Sequence, residues 1–475
     1  MRSYYPTIGI EIHTQLATKS KMFCGCNNDS RKAKPNTNVC PVCMALPGTL
    51  PVVNKGAIEM AIKLAKGFSA EVASVTSFDR KNYFYPDSPK GYQITQMDQP
   101  IIQNGFVEIF VDRKFKKIGV HHAHLEEDAG KLTHPSGADY SLVDYNRAGT
   151  PLIEIVSEPD IKSAEEAKRY LQEIYNIVTS LGICDGDMEH GNFKFDLNVS
   201  VSDDPNKLGT RTELKNLNSF RNAERALNYE IERQIDTLKS GDTIEQETRG
   251  WNDAKSITFS QRSKEEANDY RYFPEPDLPP ISLDAAFVAK VQSSVGVMPL
   301  TVRRELVDLD LSIDEQDVLI GQPKTMQIFQ TARSILNSPD LVKKAINWLV
   351  GDYQALLGSS TSPSKLTGKN LAELIKLVSS GDISSKIAKD IFEDVVSGIE
   401  PNKVIEQKGL KQLSDVNELE VIVKEIVDSN PKAVEDYRSG NTKAIGFFVG
   451  QAMAVTKGQA NPGKLNELVV KLLKE

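Results

Sequence analysis

Two stretches alternate apolar and polar residues with a period of two, Ile8-Gly9-Ile10-Glu11-Ile12-His13 and Phe195-Asp196-Leu197-Asn198-Val199-Ser200-Val201. Such alternation predicts half-buried strands, because successive side chains of an extended chain point to opposite faces. Between them the period changes. Ala167, Tyr170, Leu171, Ile174, Ile177 and Val178 recur at helical spacing behind a Ser163/Glu166 capping-box pattern, and the run stops near Gly182. A second helix is predicted from Ser219 to about Gly241, with Phe220, Ala223, Leu227, Ile231, Ile235 and Leu238 on one stripe. Strands and helices mix without a regular βαβ alternation. Residues 1–290 are therefore expected to form an α+β domain, a cradle built on a largely antiparallel sheet.

The run from Tyr272 to Pro280 packs four prolines into seven residues, which removes backbone donors and predicts irregular chain near a boundary. Beyond about residue 291 the pattern turns helical, with a break at Gly358-Ser359-Ser360-Thr361-Ser362-Pro363 and a further change near 405. We expect an all-α middle domain over 291–405 and a small all-α tail domain over 406–475. In the tail, Gly446 and Gly450 stand one turn apart in an apolar segment, which predicts close helix packing there.

At 475 residues the chain is long enough for several hydrophobic cores, and 40% hydrophobic with 26% charged residues is the balance of a soluble globular protein. No window approaches the ~18 apolar residues of a membrane span, and the start MRSYYPTIGIEIH lacks an apolar leader. A cytoplasmic protein without membrane association is expected. Four of the five cysteines crowd between 24 and 43, which suits a reducing compartment better than a disulfide framework. The net charge of -8 argues against a general phosphate-gripping surface, so any nucleic acid must be bound by local patches or by shape.

The candidate chemistry lies before residue 290. Cys24, Cys26, Cys40 and Cys43 form two close pairs that can supply the four corners of a structural zinc site at 24–43. Glu11 and His13 share a face if 8–13 is a strand. The string His121-His122-Ala123-His124-Leu125-Glu126-Glu127-Asp128 holds three histidines and three acids in eight residues, costly to assemble without a compensating cation. Alternation would place His122, His124 and Glu126 on one side and Glu127 on the other, so keeping both acids at one ion requires a bulge. Glu154 and Asp196 are further acids in strand-like settings, and together these residues suggest Mg²⁺ holding substrate phosphates. Arg80, Lys81 and Lys90, interleaved with aromatics in FDRKNYFYPD and beyond, could neutralise phosphates or stack a base. Neither a P-loop nor a dinucleotide-binding glycine fingerprint accompanies these groups.

Longer strings add to this reading. IGIEIHTQL at 8–16, FDRKNYFYPD at 78–87, HLEEDAGK at 124–131, LVDYNRAGTPLIEIVSEPDI at 142–161, ELKNLNSF at 213–220, YRYFPEPDLPP at 270–280 and GFFVGQAMAVTKGQANP at 446–462 together resemble the B-subunit family of glutamine-dependent aspartyl/glutamyl-tRNA amidotransferases. The resemblance runs the full length of the chain. It implies ATP-dependent phosphorylation of the side-chain carboxylate of Glu-tRNA(Gln) or Asp-tRNA(Asn), followed by amidation with ammonia from a glutaminase A subunit. A small C subunit would join the two, and the tail domain would help recognise the mischarged tRNA. On these positions it implies a catalytic set of Glu11, His13, Glu126, Glu127, Glu154 and Asp196. Of these, Glu11, His13, Glu127 and Glu154 would hold magnesium. Arg80, Lys81 and Lys90 would meet ATP or the acceptor end, and the cysteine cluster would be scaffold. Two rival readings of the same residues are a metal-dependent phosphohydrolase and a zinc-stabilised RNA-binding adaptor without catalysis.

Overall fold

A computed structural model of the chain describes residues 3–263, 269–307, 309, 311–359, 363–410, 416–439, 442–456, 460 and 462–474. Residues 360–362 of the Ser/Gly break and 457–459 and 461 of the tail motif therefore lie outside the described residues. The chain separates into two compact units, Met1–Val302 and Arg303–Glu475.

The first unit is organised by one nine-stranded sheet. Its strands are β1 (Tyr5–Gln15), β2 (Glu71–Val72), β3 (Ile102–Val111), β4 (Lys114–Glu127), β5 (Pro151–Ser157), β6 (Phe193–Ser202), β7 (Thr212–Lys215), β8 (Glu247–Asn252) and β9 (Ile257–Ser263). Their spatial order is β9-β8-β7-β6-β1-β5-β4-β3-β2. Every neighbouring pair is antiparallel except β7 with β8. The largely antiparallel α+β architecture is the one the alternation predicts. β1 lies inside the sheet, and its two faces follow the pattern. Ile8, Ile10 and Ile12 are at most 1% exposed and pack with Tyr170, Leu171 and Ile174 of helix α1 (Ala164–Ser180) and Ala223 and Leu227 of helix α2 (Phe220–Lys239). The opposite face of β1 carries Thr7, Gly9, Glu11, His13 and Gln15.

Both helices start where the sequence predicts, with the Ser163 and Ser219 hydroxyls accepting from the Glu166 and Asn222 amides. The capping box at α1 is only half formed. The Glu166 carboxylate accepts from the Lys162 amide and pairs with Lys116 instead of returning to Ser163. On α2 the apolar stripe also misplaces the buried face of the second half. The fully buried positions there are Glu230 and Gln234, because Glu230 takes hydrogen bonds from Arg233, Gln234 and Thr258 and lies 3.3 Å from Arg249.

A smaller sheet stands over the large one, made of Asp79–Asn82, Tyr92–Thr95 and Phe273–Pro274. The proline-rich run is thus not wholly irregular. Phe273 and Pro274 pair with Arg80 and Asp79 as a two-residue edge, where a missing amide is tolerated.

The described residues of the second unit are helical from Ile313 to Lys474 and form no strand. Within it, the helices Val416–Asp428, Ala444–Val455 and Pro462–Lys474 enclose an apolar cluster around Leu419, Val423, Phe448, Leu465 and Val469. Gly446 and Gly450 do not serve close packing. Both are exposed, and a Cβ at either would meet nothing within 4 Å. The face that Ala444–Val455 buries carries Ala444, Phe448 and Ala452.

Candidate active site

The polar face of β1 is extended on both sides by directly paired residues. His13 stands opposite Glu154 of β5, and Glu154 opposite His124 of β4, while Glu11 stands opposite Asp196 of β6. Cross-strand partners share a face, so strands far apart in sequence deliver one cluster. His13 Nε2 lies 3.2 Å from Glu154 Oε2 and 3.9 Å from Glu126 Oε1; His124 Nε2 lies 3.5 Å from Glu154 Oε2 and 3.7 Å from Glu126 Oε2. Ligand atoms of His13, Glu126 and Glu154 all fall within 4.8 Å of one another, the geometry of a site able to hold a cation. His124 Nδ1 is buried without a hydrogen-bond partner.

The electrostatics follow from crowding. Burial opposes charge on His13, but the hydrogen bond and field of Glu154, with Glu126 and Asp196, raise its pKa to about 9. Burial also opposes charge on Glu154, yet His13, His124 and Lys81 hold its pKa down at about 2. Glu11 is pushed above the usual carboxylate range by burial and by Glu154, although Asn198 Nδ2 donates to its Oε1 at 3.0 Å. Asp196 accepts from Lys215 Nζ at 2.5 Å, and Lys215 also reaches Glu213 at 3.1 Å.

The candidate residues do not all converge. The register between β5 and β4 is regular from His122 to Glu127. Without a bulge, alternation sends the two neighbouring acids apart: Glu126 joins the cluster, while Glu127 pairs with Lys90 and accepts from the Ile94 amide. The expectation that Glu127 shares an ion with Glu11, His13 and Glu154 is not met by this geometry. The three cations also separate. Arg80 is engaged by Glu275 through two bonds of 2.7 and 2.8 Å, reaches Asp277, and stacks on Tyr92 with its guanidinium 4.3 Å from the ring centroid. Lys90 is consumed by Glu127. Lys81 alone faces the cluster: burial lowers its pKa, but Glu126 and Glu154 raise it above the ordinary value, and its Nζ sits 4.8 Å from the Tyr270 ring centroid. Residues the sequence reading left out of the site are His124, Asn198 and Lys215. Alternation within HHAH, within 195–201 and within Glu213-Leu214-Lys215 carried the signal for all three.

Beyond Gln15 and Asp196 the polar face opens into a cleft of about 970 Å³, lined by Gln15, Lys131, Arg147, His190, Lys194 and Asp196 among others. Gln15 Nε2 donates to Asp128 at 2.9 Å, and Arg147 lies 3.3 Å from the same carboxylate.

The cysteine cluster forms as the spacing predicts. Sγ atoms of Cys24, Cys26, Cys40 and Cys43 lie within 4.8 Å of one another and could hold a metal ion. A hydrogen bond from Cys24 brings the Cys43 thiol down to about 5 against the opposing effect of burial, helped by the Cys40 amide and by Lys21. Lys21 is fully buried, with Nζ 3.9 Å from Cys43 Sγ and 2.9 Å from the Asn38 carbonyl. Four thiolates around a divalent ion carry a net charge of about -2. A buried ammonium and the Cys40 amide, 3.1 Å from Cys43 Sγ, offset part of that excess. The donor set fits a structural tetrahedral site.

Residues 6–289 match the family model described as the GatB/GatE catalytic domain, and 328–473 match the GatB domain. A protein of Thermoanaerobacter sp. (strain X514) is 47% identical over 98% of both chains. Relatives from Brevibacillus brevis, 46% identical over 100% of this chain and 99% of the relative, and Solidesulfovibrio magneticus, 47% identical over 100% of both, are equally extensive. All three are named as the B subunit of an aspartyl/glutamyl-tRNA(Asn/Gln) amidotransferase.

Proposed function

The chain belongs to the GatB/GatE family, and from that membership we propose that it is the subunit of a tRNA-dependent amidotransferase that activates the substrate carboxylate with ATP. The substrate is Glu-tRNA(Gln), Asp-tRNA(Asn) or both. The observation that carries this reading is the His13–Glu126–Glu154 cluster on a polar sheet face that opens into a large cleft.

In the proposed reaction a side-chain carboxylate oxygen of the aminoacyl group attacks the γ-phosphorus of ATP, the bond to the bridging oxygen breaks, and ADP leaves. Ammonia then attacks the acyl carbon, the bond from that carbon to the phosphoryl oxygen breaks, and inorganic phosphate leaves as one ammonia proton is lost. His13, Glu126 and Glu154 would hold Mg²⁺, which when bound neutralises phosphate oxygens. Lys81 places a fixed positive charge beside the same carboxylates. Glu11, with one oxygen held by Asn198 and its affinity for protons raised by burial, is placed to take the ammonia proton. Asp196, tied to Lys215, orients the neighbouring strand positions. Arg80 and Lys90, already saturated by carboxylates, shape the small sheet and do not contact phosphate.

Ammonia would come from a glutaminase A-type partner, with a small C subunit completing the assembly, and the cysteine cluster would hold zinc as scaffold. The helical segments would act as a middle domain over 291–405 and a tRNA-recognising tail over 406–475. Among the described residues no helix is long and apolar enough to cross a membrane. The proposed site of action is the cytoplasm.

The test uses the complex with its glutaminase and small subunits, supplied with Glu-tRNA(Gln), ATP and free ammonia. Glu154→Gln, nearly isosteric, should abolish ATP cleavage and Gln-tRNA formation while glutamine hydrolysis by the partner continues. Retained ATP cleavage in this variant would overturn the assignment. No cleavage by the wild-type complex, even with Asp-tRNA(Asn), would leave an RNA-binding adaptor as the better account.

A further inference from the structure

The loop from Asn27 to Val39 fills the thirteen positions between Cys26 and Cys40. It contains no helix or strand, and all of its side chains are exposed or half-buried. A segment without a buried anchor is placed only by its ends and by its hydrogen bonds. Its ends are the two cysteine pairs, whose Sγ atoms lie within 4.8 Å of one another. Its second half bonds to residues 143–146. The Asn38 amide donates to Asn146 Oδ1 at 2.8 Å, and Asn146 Nδ2 donates to the Lys34 carbonyl at 2.7 Å. Asn36 donates through its amide to Asp144 Oδ1 and through Nδ2 to the Val143 carbonyl, and it accepts from the Tyr145 amide.

Both sides of this contact face the cleft of about 970 Å³, the loop through Asn28 and Arg31, the other segment through Asn146 and Arg147. Asn146 is only 3% exposed, and both ends of its side-chain amide are spent on the loop. The next residue carries the contact onward. Arg147 Nε and Nη2 donate to the Ala129 and Gly130 carbonyls at 3.1 and 2.7 Å, and Nε lies 3.3 Å from Asp128, which accepts from Gln15. Gln15 stands two positions from His13 on the same face of β1. On the cysteine side, Asn38 is the junction. Its carbonyl accepts from Lys21 Nζ at 2.9 Å, and the same ammonium lies 3.9 Å from Cys43 Sγ. Gly149 closes the other flank: it accepts from the Met22 amide at 2.8 Å, and a Cβ on it would come to 3.5 Å from Cys43 Cβ.

We infer that the metal held by the four cysteines positions this wall of the cleft for the aminoacyl-tRNA, and that Asn146 is the positioning residue through which it does so. The inference rests on the amidotransferase reading and the zinc site proposed above, and gives the metal a part in substrate binding besides holding the fold. A metal that ties four thiols restrains both ends of the loop at once, whereas an unbridged loop ranges over many conformations. With the loop docked, Asn146 is held and Arg147 beside it is fixed. With the loop undocked, Asn146 loses both bonds and the turn Tyr145–Arg147 loses its support. Those are the two arrangements that coupling between distant groups needs. Linkage makes the effect reciprocal: if the metal favours the wall that the substrate binds, bound substrate holds the metal more tightly by the same factor.

The test follows zinc release from the assembled complex to a chromogenic chelator, with and without saturating Glu-tRNA(Gln) and with no ATP. In wild type the tRNA should slow release by about fivefold or more, and in Asn146→Ala the two rates should agree within about twofold. Shielding of the cysteines by bound tRNA would persist in the variant, so the difference isolates the coupling. In amidation assays Asn146→Ala should raise KM for Glu-tRNA(Gln) by about fivefold or more and leave KM for ATP within about twofold. Asn146→Asp, which keeps the acceptor for the Asn38 amide, should fall between the two proteins, and covers the case in which the alanine variant folds poorly. Release that ignores tRNA in wild type overturns the inference, and so does equal slowing in wild type and both variants. A KM for ATP that rises as much as that for the tRNA also overturns it, since general loosening would do that. A wild-type complex without zinc or without ATP cleavage is a different failure, visible before any variant is made, and removes the underlying reading together with the inference.

Discussion

Arg80 separates two accounts of the basic and aromatic string at 78–87, as a phosphate-binding cation or as a strut. Its Nε and Nη2 atoms meet Glu275 at 2.7 and 2.8 Å, and the side chains are 19% and 0% exposed. Arg80→Met would leave the Glu275 carboxylate buried without its cation. Breaking a buried pair from one side costs about 3–5 kcal/mol, and the half-exposed Asp277 contact adds little. For the unit Met1–Val302 the unfolding entropy near the melting temperature is about 0.6 kcal/mol per kelvin. The loss therefore translates into a melting transition about 5–8 °C lower. Arg80→Met/Glu275→Leu, which removes both charges, should recover most of that loss. The assay is calorimetry of the three proteins beside ATP-dependent amidation by each reconstituted complex. KM for ATP should stay within about twofold of wild type in the double variant. An unchanged melting temperature together with a strongly raised KM would refute the strut and restore Arg80 to the phosphates.

Two other outcomes are expected. Folded protein should carry about one equivalent of zinc, and chelation or Cys43→Ser should lower the melting temperature; under half an equivalent would count against the site. The second concerns pH in metal-free protein. His13 has its pKa raised from 6.5 to about 9 and Glu154 lowered from 4.5 to about 2. The raised histidine contributes stability fully below its unfolded value, lost as pH rises toward its folded one; the lowered carboxylate contributes above its unfolded value, lost as pH falls toward its folded one. The pair is thus fully stabilising between about pH 4.5 and 6.5. Unfolding free energies in chelator should decline from pH 6.5 to about 9, and His13→Gln should flatten that decline. Parallel slopes in the two proteins would show that His13 is not the titrating group.

How much of this was legible depended on whether the determining contact was local. The strands around Glu11, His13 and Asp196 follow from alternation alone, and so does the choice between Glu126 and Glu127, since an unbroken strand sends them to opposite sides. The clamp on Arg80 comes from a carboxylate 195 residues away, and the partner of Lys90 lies 37 residues on. Nothing in the local string distinguishes a cation waiting for phosphate from one already satisfied. The buried Glu230 and Gln234 were hidden for a related reason. Apolar periodicity locates a greasy stripe but is blind to a polar face that Arg233 of the same helix and Arg249 of a neighbouring strand make tolerable. Gly446 and Gly450 show the converse, because small residues one turn apart are compatible with an exposed face as well as a packed one.

The placement of charge within the first unit gives a reason for the position of the proposed reactive centre. Glu127 is matched by Lys90, Glu275 by Arg80, Asp196 and Glu213 by Lys215, and Glu230 by Arg233 and Arg249. Each of these carboxylates has a permanent cation within 4 Å and is fixed as architecture. Glu11, Glu126 and Glu154 are different: histidines touch the latter two, an amide touches the first, and Lys81 acts on Glu126 and Glu154 through the field. Three carboxylates against Lys81 and a protonated His13 leave about one unit of negative charge uncompensated, and only while the histidine keeps its proton. A divalent cation held by His13, Glu126 and Glu154 would displace that proton and supply the missing charge, so the proton on His13 and the metal would compete for one role. On the proposed reading a polyphosphate could be accepted here, because Glu127, Asp196 and Glu213 around the cluster already have cation partners and the uncompensated charge lies where a metal ion would sit.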